Sequence, residues 1–285
     1  MNNRCVFEVE QLRCAYPDTP ERMVLEVKQL VIPQGEVVYL VGPSGIGKST
    51  ILEALGLMNR TIMPGCGKFE YKGKDMRNWW QQNDSEMSVF RRQEFSFIFQ
   101  SNNLMNNFSA WENVKATALF QGMSNREAEA LKTEVFHAVD INPDKWDVSV
   151  SNLSGGQRQR LAFARAIMPR FSVLFGDEPT GNLDPVTADK MMARLRDILK
   201  QKEEATAIIV SHDMTLASRY ADRIVRFHKC SIGANNNEDE EHVYGLIDEK
   251  SIYKRISENT WSDYEGVHQF TCEQLAQHLS QTINN

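Results

Sequence analysis

The chain lacks several features that would settle its class early. No apolar run approaches the ~20 residues that a membrane-spanning helix requires. The N-terminal stretch has neither the charged nor the apolar region of a signal peptide. Any attachment to a bilayer is therefore expected through a partner. Cysteine is scarce: the five, Cys5, Cys14, Cys66, Cys230 and Cys272, are odd in number, scattered, and form no C-x-x-C pair. That argues for free thiols in a reducing compartment and against a disulfide framework or a metal site. A basic excess is also missing. The net charge of -6 leads us to expect no nucleic-acid partner. No internal repeat is visible. What remains is an ordinary globular composition, 285 residues with 41% hydrophobic and 25% charged. That is enough for one large domain or two small ones around a substantial core.

One stretch has a definite chemistry. Residues Gly42 to Ser49 fit G-x-x-x-x-G-K-[ST]. Glycines let the backbone turn its N–H groups inward around phosphate oxygens. The loop should feed a helix whose N-terminus adds free N–H groups and the positive dipole end. Lys48 reaches the β- and γ-phosphates and the Ser49 hydroxyl ligates Mg²⁺. Gly42, Ser44, Gly45, Gly47, Lys48, Ser49 and Thr50 form the candidate phosphate-binding set. The flanks agree: residues 36–41 read as a buried strand and residues 51–55 as a helix.

Around this loop the chain alternates in character. Residues 4–12 and 24–32 alternate apolar and polar side chains and read as half-buried antiparallel strands. Tyr16, in the turn-rich segment between them, is either a packed loop aromatic or an adenine-stacking platform, and position alone favours the first. Residues 68–71 and 95–99 read as strands, the second ending at Gln100, where a side chain can reach a ligand. Residues 101–170 read as mostly helical, with Asn125 as a cap for a helix over 126–139 and Asn142-Pro143 as a break. Leu153-Ser154-Gly155-Gly156-Gln157 opens a basic helix, so Ser154 is either an ordinary cap or part of an anion site. A buried strand over 171–178 ends in Asp177 and Glu178. One carboxylate suits a metal ion and the other a water molecule. Asp184 lies in a turn before a helix over 186–200. Another strand, 205–210, ends at Ser211-His212-Asp213, which also places His212 at a strand end.

Beyond residue 230 the character changes. Residues 231–242 are polar and acidic and read as a flexible linker. Residues 243–285 read as a small appended extension, with Thr271-x-x-Gln274 as a capping box before Leu275, Leu279 and Ile283. On this reading, removing residues 231–285 leaves the basal activity intact.

The ordered set of phosphate loop, Gln100, Leu153-Ser154-Gly155-Gly156-Gln157, Asp177-Glu178, Asp184 and His212 resembles the ATP-binding-cassette family over roughly residues 4–230. The Leu-Ser-Gly-Gly-Gln stretch is the diagnostic part. The resemblance implies an α/β fold: a phosphate-loop NTPase core, an antiparallel β subdomain and a helical subdomain near 101–170. It implies an ATPase with ATP and Mg²⁺ as cofactors. Ser49 and Gln100 look like Mg²⁺ ligands, with Asp177 supporting the metal. Glu178 looks like the general base or water-orienting residue, and His212 the γ-phosphate contact. Tyr16 then matches the adenine-stacking aromatic, reversing the reading from position. Ser154, Gly155, Gly156 and Gln157 would act on ATP held by a second copy, with Asp184 communicating across that interface. The implied partners are a homodimer mate and a separately encoded transmembrane permease subunit, docked just after Gln100. The implied place is the cytoplasmic face of a bacterial inner membrane.

Phe97-Ile98-Phe99-Gln100 and Glu178-Pro179-Thr180-Gly181-Asn182-Leu183-Asp184 look like the lipoprotein-release, macrolide-export and FtsE-type subgroup, which serves transport or mechanotransmission. A soluble cassette ATPase acting on nucleic acid or ribosomes is the alternative, disfavoured by the charge and by the absence of heptads. Two departures stand out. Ile46 replaces a usually small or polar loop residue and is expected to point away from the ligand. The tail after residue 230 is longer than usual.

Overall fold

Alternating apolar and polar residues make the first strands, and stretches apolar on both faces make the buried ones. The structure, a computed structural model, describes residues 4–79, 84–202, 204–232 and 242–284. In chain order the elements begin with β1 (Cys5–Ala15), β2 (Met23–Pro33), β3 (Val37–Val41), α1 (Lys48–Leu55), β4 (Lys68–Tyr71) and β5 (Lys74–Asp75). Then come α2 (Asp84–Glu94), β6 (Phe95–Ile98), α3 (Ala110–Phe120), α4 (Asn125–Ala138), α5 (Gly155–Ile167), β7 (Val173–Asp177), α6 (Pro185–Gln201) and β8 (Thr206–Val210). The chain closes with α7 (Met214–Tyr220), β9 (Arg223–Arg226), β10 (His228–Ile232), β11 (His242–Ile247), β12 (Ile252–Ser257), β13 (Thr260–Ser262), β14 (Gln269–Thr271) and α8 (Cys272–Asn284). They fall into two units, Met1–Met87 with Val210–Asn285, and Ser88–Ile209.

In the first unit β1 and β2 pair antiparallel, Val9 opposite Leu30 and Leu12 opposite Val27, and β4 pairs with the other edge of β1. Phe7, Val9, Leu12, Leu25, Val27 and Leu30 of these strands are buried. Every residue of β3 is buried, and β9 lies parallel to it with Val41 opposite Arg226. A clasp fixes the amino ends of this pair. The Arg223 guanidinium donates to both Glu36 carboxylate oxygens at 2.9 and 3.2 Å, and the Val37 N–H donates to Asp222 Oδ2 at 2.9 Å. With that end pinned, the carboxyl end of β3 delivers the phosphate loop.

The tail is not a separate appendage. Strand β11 lies parallel along β2, with Gly245 opposite Leu25, and pairs antiparallel with β10. Strand β12 extends the other sheet by pairing with β9, and β13 and β14 follow. Arg255 donates to the carbonyls of Ser218, Arg219 and Ala221 at 2.7–2.9 Å, satisfying the orphan C=O groups at the end of α7. Its guanidinium stacks over Trp261, whose indole N–H donates to Ser218 O at 3.1 Å. The Thr271–Gln274 capping box is present, and Leu275 and Leu279 are fully buried. Most of the acidic stretch expected as a linker, 233–241, lies outside the described residues.

In the second unit β6 and β7 are parallel neighbours, Ile98 opposite Gly176. Phe95 meets Phe175 edge-on and Phe97 stacks on it, both with centroids 5.2 Å apart. Helices α3 and α4 begin with capping boxes, Ser109 with Glu112 and Ser124 with Glu127. Asn125 is therefore the first helical residue of α4 and not its cap. Glu127, three residues after Ser124, decides between the two candidates.

Candidate functional site

The phosphate loop runs from the end of β3 into α1. Gly47 stands at φ 94°, in the left-handed region, and a Cβ there would lie 3.3 Å from the Val24 carbonyl oxygen. Glycine is needed on both counts. Lys48 is buried, and its ammonium donates to the carbonyls of Gly42 at 2.8 Å and Pro43 at 2.6 Å. The charge is thus held folded back across the loop that Gly42, Ser44, Gly45 and Gly47 shape. Ser49 and Thr50 open α1. The Thr50 hydroxyl meets the Tyr16 hydroxyl at 3.1 Å. Tyr16 is 44% exposed, so its tip is anchored at the loop helix and its ring is open to stacking. His212 belongs to the same unit. The Ser211 N–H donates to Leu40 O, in the strand that delivers the loop, at 3.4 Å. Asp213 caps α7 by accepting from the Leu216 N–H at 2.9 Å. Between these two fixed points His212 is exposed.

In the second unit the register of β6 with β7 brings Gln100 and Asp177-Glu178 out at the same carboxyl ends. Glu178 has φ 49°, a conformation that costs a non-glycine residue of order 1 kcal/mol or more and that recurs at functional sites. Gln159, a residue that motif reading missed, is fully buried in α5 and grips this turn. Its Nε2 donates to Pro179 O at 2.7 Å, and its Oε1 accepts from Asn182 Nδ2 at 3.4 Å. The signal for it was an amide on the face of α5 otherwise filled by Ala162, Phe163 and Ala166. Arg165, six residues further along α5, donates to the carbonyls of Asn102 and Asn103 at 2.7 and 2.5 Å. Both asparagines are in the left-handed region, so α5 holds the loop after Gln100 as well.

Ser154 is both a cap and an exposed group. Its Oγ accepts from the Gln157 N–H at 3.2 Å, and the Gln157 side chain accepts from the Ser154 N–H at 2.9 Å. Around Gly155 a Cβ would meet nothing within 4 Å, and at Gly156 only Leu183 at 3.8 Å. The positive end of α5 is therefore open to an anion. Asp184 caps α6 through the Thr187 N–H at 3.0 Å, and that hydrogen bonding holds its carboxyl below the usual carboxylate range. It too is exposed.

Residues 25–181 match the ABC transporter family. The lipoprotein-releasing system ATP-binding protein LolD of Ruegeria sp. (strain TM1040) is 38% identical over 221 residues, which is 77% of this chain and 93% of that protein. The macrolide export ATP-binding/permease protein MacB of Salmonella typhi is 35% identical over 231 residues, 81% of this chain and 34% of that one. Among solved structures, the dimer of MJ0796, a bacterial ABC transporter cassette, aligns with a TM-score of 0.67 at 27% identity. It covers 77% of this chain and 93% of its own. A dimeric post-hydrolysis state of that cassette, bound to ADP and Pi, aligns at 0.66 and 27% over the same shares. The chain belongs to the ABC transporter family, as an ATP-hydrolysing cassette.

Proposed function

We propose that this cassette closes on a second copy of itself around two ATP molecules, and that the closure drives a separately encoded membrane permease subunit, for transport or for mechanotransmission. The observation that supports this most is the open N-terminus of α5. Ser154, Gly155 and Gly156 present donors and a helix dipole to solvent, with no group of their own unit covering Gly155. An anion held by another copy is the natural complement.

The other roles follow from chemistry. Lys48 and the loop amides hold the phosphates, and Tyr16 stacks on adenine. Ser49, Gln100 and Asp177 offer hydroxyl, amide and carboxylate oxygens, the hard donors that Mg²⁺ takes; Mg²⁺ would neutralise developing phosphate charge. Glu178 orients or deprotonates the attacking water, and His212 contacts the γ-phosphate. Donors from both copies aimed at one γ-phosphate make ATP the bridge between them, so hydrolysis removes the bridge and reopens the pair. Asp184 and Gln157 stand at the rim of that contact.

The segment after Gln100 suits the permease. Met105, Phe108, Leu119 and Phe120 are exposed there, Phe120 by 71%. None of the described helices is long and apolar enough to cross a membrane, so peripheral attachment at the cytoplasmic face of a bacterial inner membrane fits the reading.

Glu178→Gln removes the carboxylate base and keeps the shape. With ATP and Mg²⁺ this variant should elute as a dimer in size-exclusion chromatography, and as a monomer with ADP. A persistent monomer under ATP would count against the proposal.

A further inference from the structure

The phosphate loop rests on strands from both ends of the chain. One is β2, against which Gly47 is packed. The other is β11 of the C-terminal extension, laid parallel along β2. The closest approach is at Gly245: a Cβ built there would stand 2.1 Å from the Ile46 carbonyl oxygen and 3.2 Å from Ile46 Cγ1. Real Cβ atoms essentially never come under 3.0 Å of such a neighbour. Ile46 is the loop residue that departs from the family pattern. Its side chain is 3% exposed, and its Cγ2 would lie 3.3 Å from a Cβ at Gly42. It therefore fills the space between the loop and its backing.

We propose that Gly245 is a positioning residue for ATP binding. A loop with glycines at 42, 45 and 47 has much conformational freedom to lose, and holding it in the binding shape costs entropy. A strand in a sheet is stiff. By lacking a side chain, Gly245 lets the backbone of β11 bear directly on the Ile46 carbonyl. That contact fixes the peptide linking Ile46 to Gly47 and, two residues after Ile46, the start of the Lys48 side chain. The affinity of the loop for ATP is thereby raised without any contact between Gly245 and the ligand, through preorganisation. Gly245 sits in the C-terminal extension, so this gives that extension a part in nucleotide binding. The proposal rests on the reading of residues 42–50 as the ATP site.

The test is ATP affinity by isothermal titration, with KM and kcat for hydrolysis, on the full chain. Gly245→Ala must part the two backbones by roughly 1 Å, and a displacement of that size is expected to weaken ATP binding about tenfold or more. KM should rise by a similar factor and kcat should fall less. Leu246→Ala is the control. It points to the opposite face of β11 and should lower the melting temperature while leaving ATP affinity within about twofold of the parent. A folded Gly245→Ala that binds ATP like the parent would overturn the proposal, as would an equal loss in Leu246→Ala. Should Gly245→Ala not fold, amide hydrogen exchange on the parent chain supplies the answer: ATP should slow exchange at the Gly245 amide together with the loop amides, and a Gly245 amide that ignores ATP refutes. A parent chain that binds no ATP would overturn the phosphate-loop reading along with this one.

Discussion

Gln159 shows how much of a catalytic turn depends on a side chain that never meets the ligand. It is buried in α5 and donates to the Pro179 carbonyl immediately after Glu178, where the backbone is already in the left-handed region. Replacing it with leucine keeps the volume and leaves that carbonyl without its donor. The cost of such a group is about 1–3 kcal/mol. Gln159→Leu is therefore expected to lower stability by that order in a denaturant titration and, if Glu178 acts in the chemical step as proposed, to cut kcat more than it raises KM. Unchanged kcat would mean that the turn holds itself. The places of Lys48 at a helix start, Asp177 and Glu178 at a strand end and Ser154 at a helix cap were legible in the sequence because local spacing encodes them. Gln159 was not, because its meaning comes from a carbonyl 20 residues away that only folding brings near. Tyr16 lies between these cases. Its neighbours in sequence said loop, and only the hydroxyl contact with Thr50 ties it to the loop helix.

Elements were legible where one local rule decides them. The box at Thr271 and Gln274 could be read directly. At the start of α4, Ser124 and Asn125 are both good caps, and the reading slipped by one residue. Lys202, at the end of α6, has a role the sequence does not hint at. Its ammonium donates to the carbonyls of Ile167 and Pro169 at 3.0 and 2.6 Å, near the end of α5, and lies 4.2 Å over the Phe171 ring. Burial, with Arg170 adding to it, pushes its pKa down from 10.5 to about 8. Between those values the folded chain binds fewer protons at this site than the unfolded chain. The contribution of Lys202 to stability therefore rises as pH climbs through that window, and the penalty for burying the charge is fully present below about pH 8. Urea denaturation from pH 7.5 to 10.5, compared with Lys202→Met, should show the parent gaining on the variant as pH rises. A difference that stays flat would place this ammonium in water.

At the scale of the whole molecule, strand pairing argues against a dispensable tail. Strands β11 and β12 each join a sheet begun by distant strands. Such pairings leave little local trace: residues 242–247 are short, contain a glycine, and pair in parallel with residues 25–27. Trp261 is fully buried, and losing a buried tryptophan alone costs about 3–5 kcal/mol. That is a large share of the ~5–15 kcal/mol that holds a typical domain folded. A chain cut after Ile232 should therefore fail to give a cooperative melt and should not hydrolyse ATP. A soluble, active truncation would restore the tail to an appendage.

In the proposed pair, each ATP lies between Lys48 of one copy and Ser154 of the other. Mixing two inactive variants tests it most directly. Lys48→Ala removes the phosphate cation. Ser154→Asp keeps a good helix cap but sets a carboxylate against the γ-phosphate. Each variant alone should be silent. In a mixed pair, one site joins an intact Lys48 with an intact Ser154, so ATP hydrolysis should reappear on mixing, at a fraction of the parental rate. If the mixture forms pairs and stays silent, both residues serve ATP within one chain, and the shared site is refuted.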